Sequence, residues 1–323
     1  MKRHARITGT GRAVAPVLIS NEQMDARFGE GVSEWIEANV GIKQRFHMAP
    51  DQVTSDLAAE AAKQALERAK LTVDDVDLII VSTDTGDQPS PSTAAVVLHK
   101  LGARHTPAFD VNAACSGWVV ALDTAAGLIR ADETKRHVLV IGAYGMSRFL
   151  DWTDKHTATL FADGAGAVVL SASDTPGFLA STLWSDSAMW DALGVYAGGA
   201  KKPEERGFVK FVRKFPKTYN TEHWPRLLAT TSDRCGVPLN EVKAFFFTQL
   251  NLRAIEAVMD GLGLPRERAP YIGDKWGYTG NACIPMTLDD AVERGVLQRG
   301  DVIALCASGG GVSMASAFLR WDP

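Results

Sequence analysis

Apolar runs of strand length alternate along this chain with segments of helical period, and that alternation restricts its fold more than any other feature. Residues 76–81 (VDLIIV), 138–141 (VLVI) and 168–170 (VVL) each predict a buried strand. Between them, residues 58–69 (AAEAAKQALERA) are rich in strong helix formers. Residues 92–101 and 117–130 predict two more helices. Continuous apolar strands separated by helices imply an α/β fold whose sheets are covered by helices. The 323 residues suit about two domains or one duplicated unit. An internal echo favours duplication. Strand 76–81 is followed by a helix, strand 108–111, a small-residue turn, a helix and strand 138–141. In the second half, 242–247 (VKAFFF) is followed by 252–263, then 271–272, a small-residue turn at 277–282, the helix 286–294 and the strand 302–306. We therefore expect an N-terminal half over 1–175 and a C-terminal half over 176–323. Residues 176–235 hold Trp184, Trp190, Tyr196, Tyr219 and Trp224 in weak periodicity and read as an insertion.

Charge and cysteine usage exclude several classes. There are 34 Lys and Arg against 38 Asp and Glu, a formal net charge of −4. Such a chain lacks the field that holds nucleic acid or an anionic membrane. No apolar run approaches the ~20 residues of a membrane span. Met1-Lys2-Arg3-His4 leads directly into a strand-like stretch without the apolar segment of a signal peptide. Cys115, Cys235, Cys283 and Cys306 show no CxxC spacing, so they read as reduced thiols in a cytoplasmic protein. No His/Cys/Asp spacing marks a metal site. Gly164-Ala165-Gly166 is not a GxGxxG fingerprint, so no dinucleotide cofactor is expected.

Residues 107–118 (PAFDVNAACSGW) carry the chemistry. A short strand runs into small residues and then an apolar helix, which sets Cys115 at the strand-to-helix elbow. Unpaired N–H groups and the helix dipole at such a position stabilise a thiolate and lower a cysteine pKa. The same N–H groups hold an oxyanion formed by attack on a thioester. Ala113, Ala114, Ser116 and Gly117 leave room for a substrate carbonyl. A small buried core cysteine has the same local pattern, so these residues alone leave both readings open.

Segments in order along nearly the whole chain resemble the ketoacyl-ACP synthase III group of the thiolase superfamily. Glu34-Trp35-Ile36 and Gly41-Ile42-Lys43-Gln44-Arg45 are similar to its early signature. Residues 110–117 (DVNAACSG) resemble its nucleophile motif, and 161–167 (FADGAGA) its FGDGAGA segment. Ser308-Gly309-Gly310-Gly311 resembles its oxyanion loop, and 289–295 (DDAVERG) with Gly300-Asp301 its run before the last strands. The resemblance implies a duplicated thiolase-like five-layer αβαβα sandwich, an obligate homodimer and ping-pong acyl transfer through Cys115. The Gly310 and Cys115 N–H groups would hold the oxyanion. Coenzyme A or phosphopantetheine thioesters are implied as substrates, so the partners are acyl-CoA or acyl carrier protein, with no tightly bound cofactor.

Two positions depart from the family pattern. Condensing members use a Cys–His–Asn set. The His segment reads Thr248-Gln249-Leu250-Asn251-Leu252-Arg253, with Thr248 at the His position. The Asn loop reads 277–282 (GYTGNA), with Tyr278 at the Asn position; Asn281, three residues on, is not taken as its substitute. The missing pair donates to the thioester oxygen as an enolate develops, and losing one such donor costs about 10²–10³ in rate. Thr248 and Tyr278 keep hydroxyl donors, but neither titrates near neutrality. For substrate delivery, Trp35 would stack on the adenine, and Arg253 matches a residue that helps dock carrier protein. Lys155 and Asn39 stand where relatives carry coenzyme-contacting Arg residues. Asn251 joins Trp35, Lys155 and Arg253 as a substrate-binding expectation. Ser90 aligns with a bulky residue that closes the acyl pocket across the dimer. His105, His156 and His223 read as surface or packing residues.

These readings combine into an acyltransferase of specialised-metabolite biosynthesis. It loads an acyl group onto Cys115 and passes it to a second substrate. The alternatives are a carbon–carbon bond-forming ketosynthase with a Cys-Thr-Tyr site and a non-catalytic partner subunit of an active homologue.

Overall fold

A computed structural model describes residues 3–216 and 218–323, so Met1 and Lys2 of the N-terminal reading lie outside it. The apolar runs assemble into two sheets. The five-stranded one has the order His4–Val14, Asp163–Ser173, His137–Gly145, Leu78–Ser82, Ala108–Val111. Its last three strands are parallel, with Ile79 level with Leu139 and Ala108. The first two are antiparallel to their neighbours. The four-stranded sheet has the order Ala244–Phe247, Val302–Gly309, Ser313–Arg320, Phe178–Ser185. Only its first pair is parallel.

Strands apolar on both faces need cover on both faces, and helices supply it in three layers. Thr54–Ala69 and Thr93–Lys100 pack Leu57, Ala58, Ala61 and Val97 onto Ile79, Val81, Leu139 and Ile141. Gly117–Ala131 and Cys283–Glu293 fill the space between the sheets, against Ile80, Val140 and Val168 on one side and Ile303, Leu305 and Ala317 on the other. Tyr219–Cys235 and Leu252–Gly261 cover the outer face of the second sheet through Trp224, Leu228, Ile255 and Val258. This is the five-layer αβαβα sandwich that the resemblance implies.

The stretch 176–235, expected as an insertion, departs from that expectation. Phe178–Ser185 pairs with Ser313–Arg320 as an edge strand, and Tyr219–Cys235 forms part of the outer helix layer. Its weak periodicity has a physical cause. Leu183 and Trp184 of the edge strand are exposed, so its apolar residues do not all face the core.

One buried carboxylate ties the central layer to the first sheet. Asp289, on Cys283–Glu293, has a side chain with no solvent exposure. It accepts the Thr10 hydroxyl at 2.6 Å and pairs with the guanidinium groups of Arg12 and Arg68. Those cations sit on His4–Val14 and Thr54–Ala69, so three layers converge on one anion. Glu293 accepts from the second terminal nitrogen of both guanidinium groups. Removing one partner of a buried pair strands the rest without compensation. Asp289→Ala is therefore expected to lower unfolding stability by about 3 kcal/mol, read as a shift of the urea midpoint. A loss under about 1 kcal/mol would contradict this role.

Candidate active site

The strand Ala108–Val111 ends at an elbow that turns into the helix Gly117–Ala131. Asp110 caps a neighbouring helix, accepting the N–H groups of Thr93 and Ala94 at 2.7 Å each. Asn112 Oδ1 accepts the Ala114 N–H at 3.1 Å. Ala114 holds φ +46°, a left-handed conformation that costs an L-residue roughly 1 kcal/mol. The elbow sets Cys115 two residues before the helix, at 6 % exposure. The loop after Val302–Gly309 presses against it. A side chain at Gly309 would place its Cβ 2.8 Å from both the Ala113 carbonyl and the Cys115 nitrogen.

Tyr278 is held by backbone. Its N–H donates to Leu160 at 3.2 Å, and its carbonyl accepts the Ala162 N–H at 2.8 Å. Its ring lies 5.6 Å from that of Phe161 and 6.4 Å from that of Tyr144. The preceding Gly277 has φ +79°, and a Cβ there would lie 2.6 Å from that of Arg45. Arg45 is fully buried. It donates to the carbonyls of Ile19 and Ser20 and to Asn21 Oδ1. Burial pulls its guanidinium pKa down to about 10. Asp163, in the FADGAGA stretch, accepts the N–H groups of Met48 and Ser147 at 2.8 Å each.

Thr248 follows the strand Ala244–Phe247. Its hydroxyl accepts the Ser308 N–H at 3.0 Å and lies 3.5 Å from the Ser308 carbonyl. It thus fastens the glycine loop to the second sheet, which engages the hydroxyl expected to face substrate.

A cavity of about 540 Å³ is lined by Cys115, Thr248, Asn251, Tyr278, Gly310 and His156. His156, read as a surface or packing residue, thus lines the same space as Cys115. Asn251 Oδ1 caps the helix Leu252–Gly261, accepting the N–H groups of Arg253 and Ala254. Trp35, Lys155 and Arg253 are exposed and do not contribute to that lining. Arg253 donates from Nε to the Ala38 carbonyl at 3.0 Å and pairs with Glu256 at 2.8 Å. Asn281 is buried with both side-chain polar atoms unpartnered, and it stands outside the lining. Among the described residues, no cluster of three or more His, Cys, Asp or Glu could hold a metal ion.

The electrostatics correct one expectation. Cys115 was expected to be a lowered-pKa thiol. Instead, burial pushes its pKa far up, and the charge of Asp84 adds to the rise. The Tyr278 hydroxyl and the Gly310 N–H act on the sulfur in the opposite sense without overcoming it. Losing water around an anionic sulfur outweighs what two donors and a nearby helix end return. Burial also raises Tyr278, with the Cys115 charge adding to it. Burial thus favours the neutral thiol and the neutral Tyr278 hydroxyl. Asp84 is the group that reading the sequence missed. An Asp three residues after the apolar run 76–81 was the available signal.

Only the thiolate alkylates quickly, and a raised pKa keeps its fraction rising about tenfold per pH unit. Iodoacetamide labelling of Cys115, followed by peptide mass, is expected to climb through pH 9 without levelling. A plateau below pH 8 would show a lowered thiol and refute this account.

Residues 109–187 match the family described as 3-oxoacyl-[acyl-carrier-protein (ACP)] synthase III, and residues 232–321 match its C-terminal counterpart. The beta-ketoacyl-[acyl-carrier-protein] synthase III of Xanthomonas campestris pv. campestris is 38 % identical, covering 98 % of each chain. The structure of the 3-oxoacyl-(acyl carrier protein) synthase III of Pseudomonas aeruginosa PAO1 superposes with a TM-score of 0.92 at 32 % identity, covering 99 % of each chain. The priming beta-ketosynthase of the R1128 polyketide biosynthetic pathway superposes with a TM-score of 0.91 at 27 % identity, covering 99 % of this chain and 97 % of that one.

Proposed function

The chain belongs to the 3-oxoacyl-[acyl-carrier-protein] synthase III family, acyl-transferring enzymes of the thiolase fold, and from that premise we propose that it is an acyltransferase working through Cys115 without decarboxylative condensation. The Cys115 thiol attacks the carbonyl carbon of an acyl-CoA or acyl-carrier thioester. A new C–S bond forms, and the donor's thiol leaves with the proton. A second substrate, an amine, an alcohol or a carbon nucleophile, then takes the acyl group and returns the proton to the Cys115 sulfur. The N–H groups of Gly310 and Cys115 stabilise the oxyanion in both half-reactions. The Tyr278 hydroxyl supplies a further donor. Trp35, Lys155, Asn251 and Arg253 receive the coenzyme or the carrier, and two copies of the chain form the working dimer. Residues 1–175 and 176–323 are its two halves.

The observation that carries this reading is the chemistry around the sulfur. By the family resemblance, Thr248 and Tyr278 stand where condensing relatives hold His and Asn, and the Thr248 hydroxyl is engaged by the Ser308 backbone. An enolate would lack both of its usual donors, whereas acyl loading needs only the thiol and the N–H groups of the elbow and loop. Full-length identity of 38 % to a beta-ketoacyl-[acyl-carrier-protein] synthase III favours a second reading, carbon–carbon bond formation at the altered site.

Intact-protein mass after incubation with acyl-CoA and acyl-carrier thioesters separates these readings. A single acyl adduct is expected on the wild type and none on Cys115→Ala. Tyr278→Phe is expected to slow loading by about 10-fold or more. Malonyl loading without loss of CO₂ supports transfer. CO₂ release with a 3-oxoacyl product supports condensation. A folded protein that no donor labels leaves only a non-catalytic partner.

A further inference from the structure

Transfer of the acyl group has to carry a proton from the acceptor to the Cys115 sulfur, and the walls of the cavity of about 540 Å³ narrow which group does so. Its titratable side chains are Cys115, Asp154, His156, Lys214, Tyr219 and Tyr278. Most are committed elsewhere or hold their protons. The Tyr219 hydroxyl donates to Asp186 at 2.9 Å, and burial pushes its pKa up to about 12. Burial raises Tyr278 as well. Asp154 Oδ1 accepts the His156 N–H at 3.0 Å, and Oδ2 accepts the Thr157 hydroxyl at 3.0 Å, so both oxygens cap the short helix Lys155–Ala158. An ammonium such as that of Lys214 has donors and no acceptor.

His156 is different. Asp154 fixes this residue through its backbone N–H, and among the described residues its ring makes no hydrogen bond. The side chain is exposed on the space that Cys115 also borders. Imidazole is the side chain that in its ordinary state gains and loses a proton near neutrality. Such a group is needed here for a physical reason. A hydroxyl attacks well only as its proton leaves, and the departing sulfur is buried where a bare thiolate is disfavoured. One group that takes the first proton and delivers it to the sulfur removes both costs. We propose that His156 is the acid–base residue of the transfer half-reaction, acting on a hydroxyl acceptor seated in this cavity against the Cys115 thioester. The neutral ring nitrogen takes the O–H proton as the oxygen attacks the carbonyl carbon. A C–O bond forms, the C–S bond breaks with its electron pair going to sulfur, and the imidazolium returns the proton there. Phe211, Phe215 and Leu250 on the same walls suit an apolar body on that acceptor.

The inference rests on the acyl-transfer reading, and the two half-reactions test them apart. Loading of Cys115 from acyl-CoA and acyl-carrier thioesters, followed by intact mass, tests the reading. The loaded protein, cleared of donor, is then chased with benzyl alcohol or with hydroxylamine, and loss of the adduct is timed. Hydroxylamine attacks through a nitrogen lone pair that is already available, so it needs no base. Benzyl alcohol is expected to strip the wild type faster than buffer does and to yield the benzyl ester. His156→Ala is expected to slow the alcohol chase by about 100-fold and the hydroxylamine chase by less than about threefold. Added imidazole is expected to restore part of the alcohol rate in that variant, which a packing role would not allow. Equal alcohol rates in wild type and variant, or a fall shared by both chases, would overturn the role of His156 and leave acyl transfer standing. A loaded wild type that ignores benzyl alcohol would overturn it as well. A protein that no donor loads would remove the acyl-transfer reading itself. His156→Gln replaces His156→Ala if the latter fails to fold by thermal melt.

Discussion

Removing one sulfur from water shapes how this site has to work. Cys115 sits between two sheets at the start of a central helix, with 6 % of its surface exposed. Desolvation disfavours its thiolate by more than the Tyr278 hydroxyl and the Gly310 N–H return. A resting thiolate is therefore disfavoured at this position. The glycine loop approaches the elbow so closely that a Cβ at Gly309 would meet the Cys115 nitrogen. In the proposed transfer, donors held in place at that elbow would meet the charge where it develops.

Much of what looks like chemistry in the motifs is carpentry. Asp110 caps the helix Thr93–Lys100, and Asp163 gathers the backbone of Met48 and Ser147. Arg45 is buried with only neutral acceptors, and its side chain stands against the glycine that precedes Tyr278. Charged groups are retained at such positions because an unpaired buried N–H or carbonyl is costly, and a carboxylate or guanidinium satisfies several at once. Asp289 does the same at larger scale, joining strand, outer helix and central helix. These ties fix where the Cys115 elbow, the Tyr278 loop and the glycine loop meet.

Two cavities share the sulfur and differ in what they contribute. The larger is bordered by Asn251, His156 and the Thr248 segment. The smaller mixes apolar Met146, Phe161 and Leu193 with polar Asp84, Asn112, Tyr144 and Tyr196. The proposed transfer through Cys115 would use this division, because the acyl group has to stay while donor and acceptor exchange. The position of the sulfur at the junction follows from the elbow, whose strained Ala114 turns the chain from strand to helix between the cavities.

The α/β class, the strands around Ile79, Val140 and Val168 and the elbow at Cys115 were legible in the sequence, because apolar runs and small-residue turns are local signals. The edge strand Phe178–Ser185 was not legible, since its exposed Leu183 and Trp184 blur the alternation. The charge state of Cys115 was not legible either. A helix N-terminus predicts a lowered thiol, but desolvation depends on every group packed around the sulfur, and those come from residues far apart in the chain. The same distance hid Asp84 and Tyr196 as companions of one cavity, and showed the Thr248 hydroxyl bound to Ser308 rather than free. The sequence by itself determined which elements form and which residue types reach the site, because these depend on neighbours within a few positions. Tertiary structure alone decided which polar atoms lose water and which find partners, because burial is a property of the packed whole.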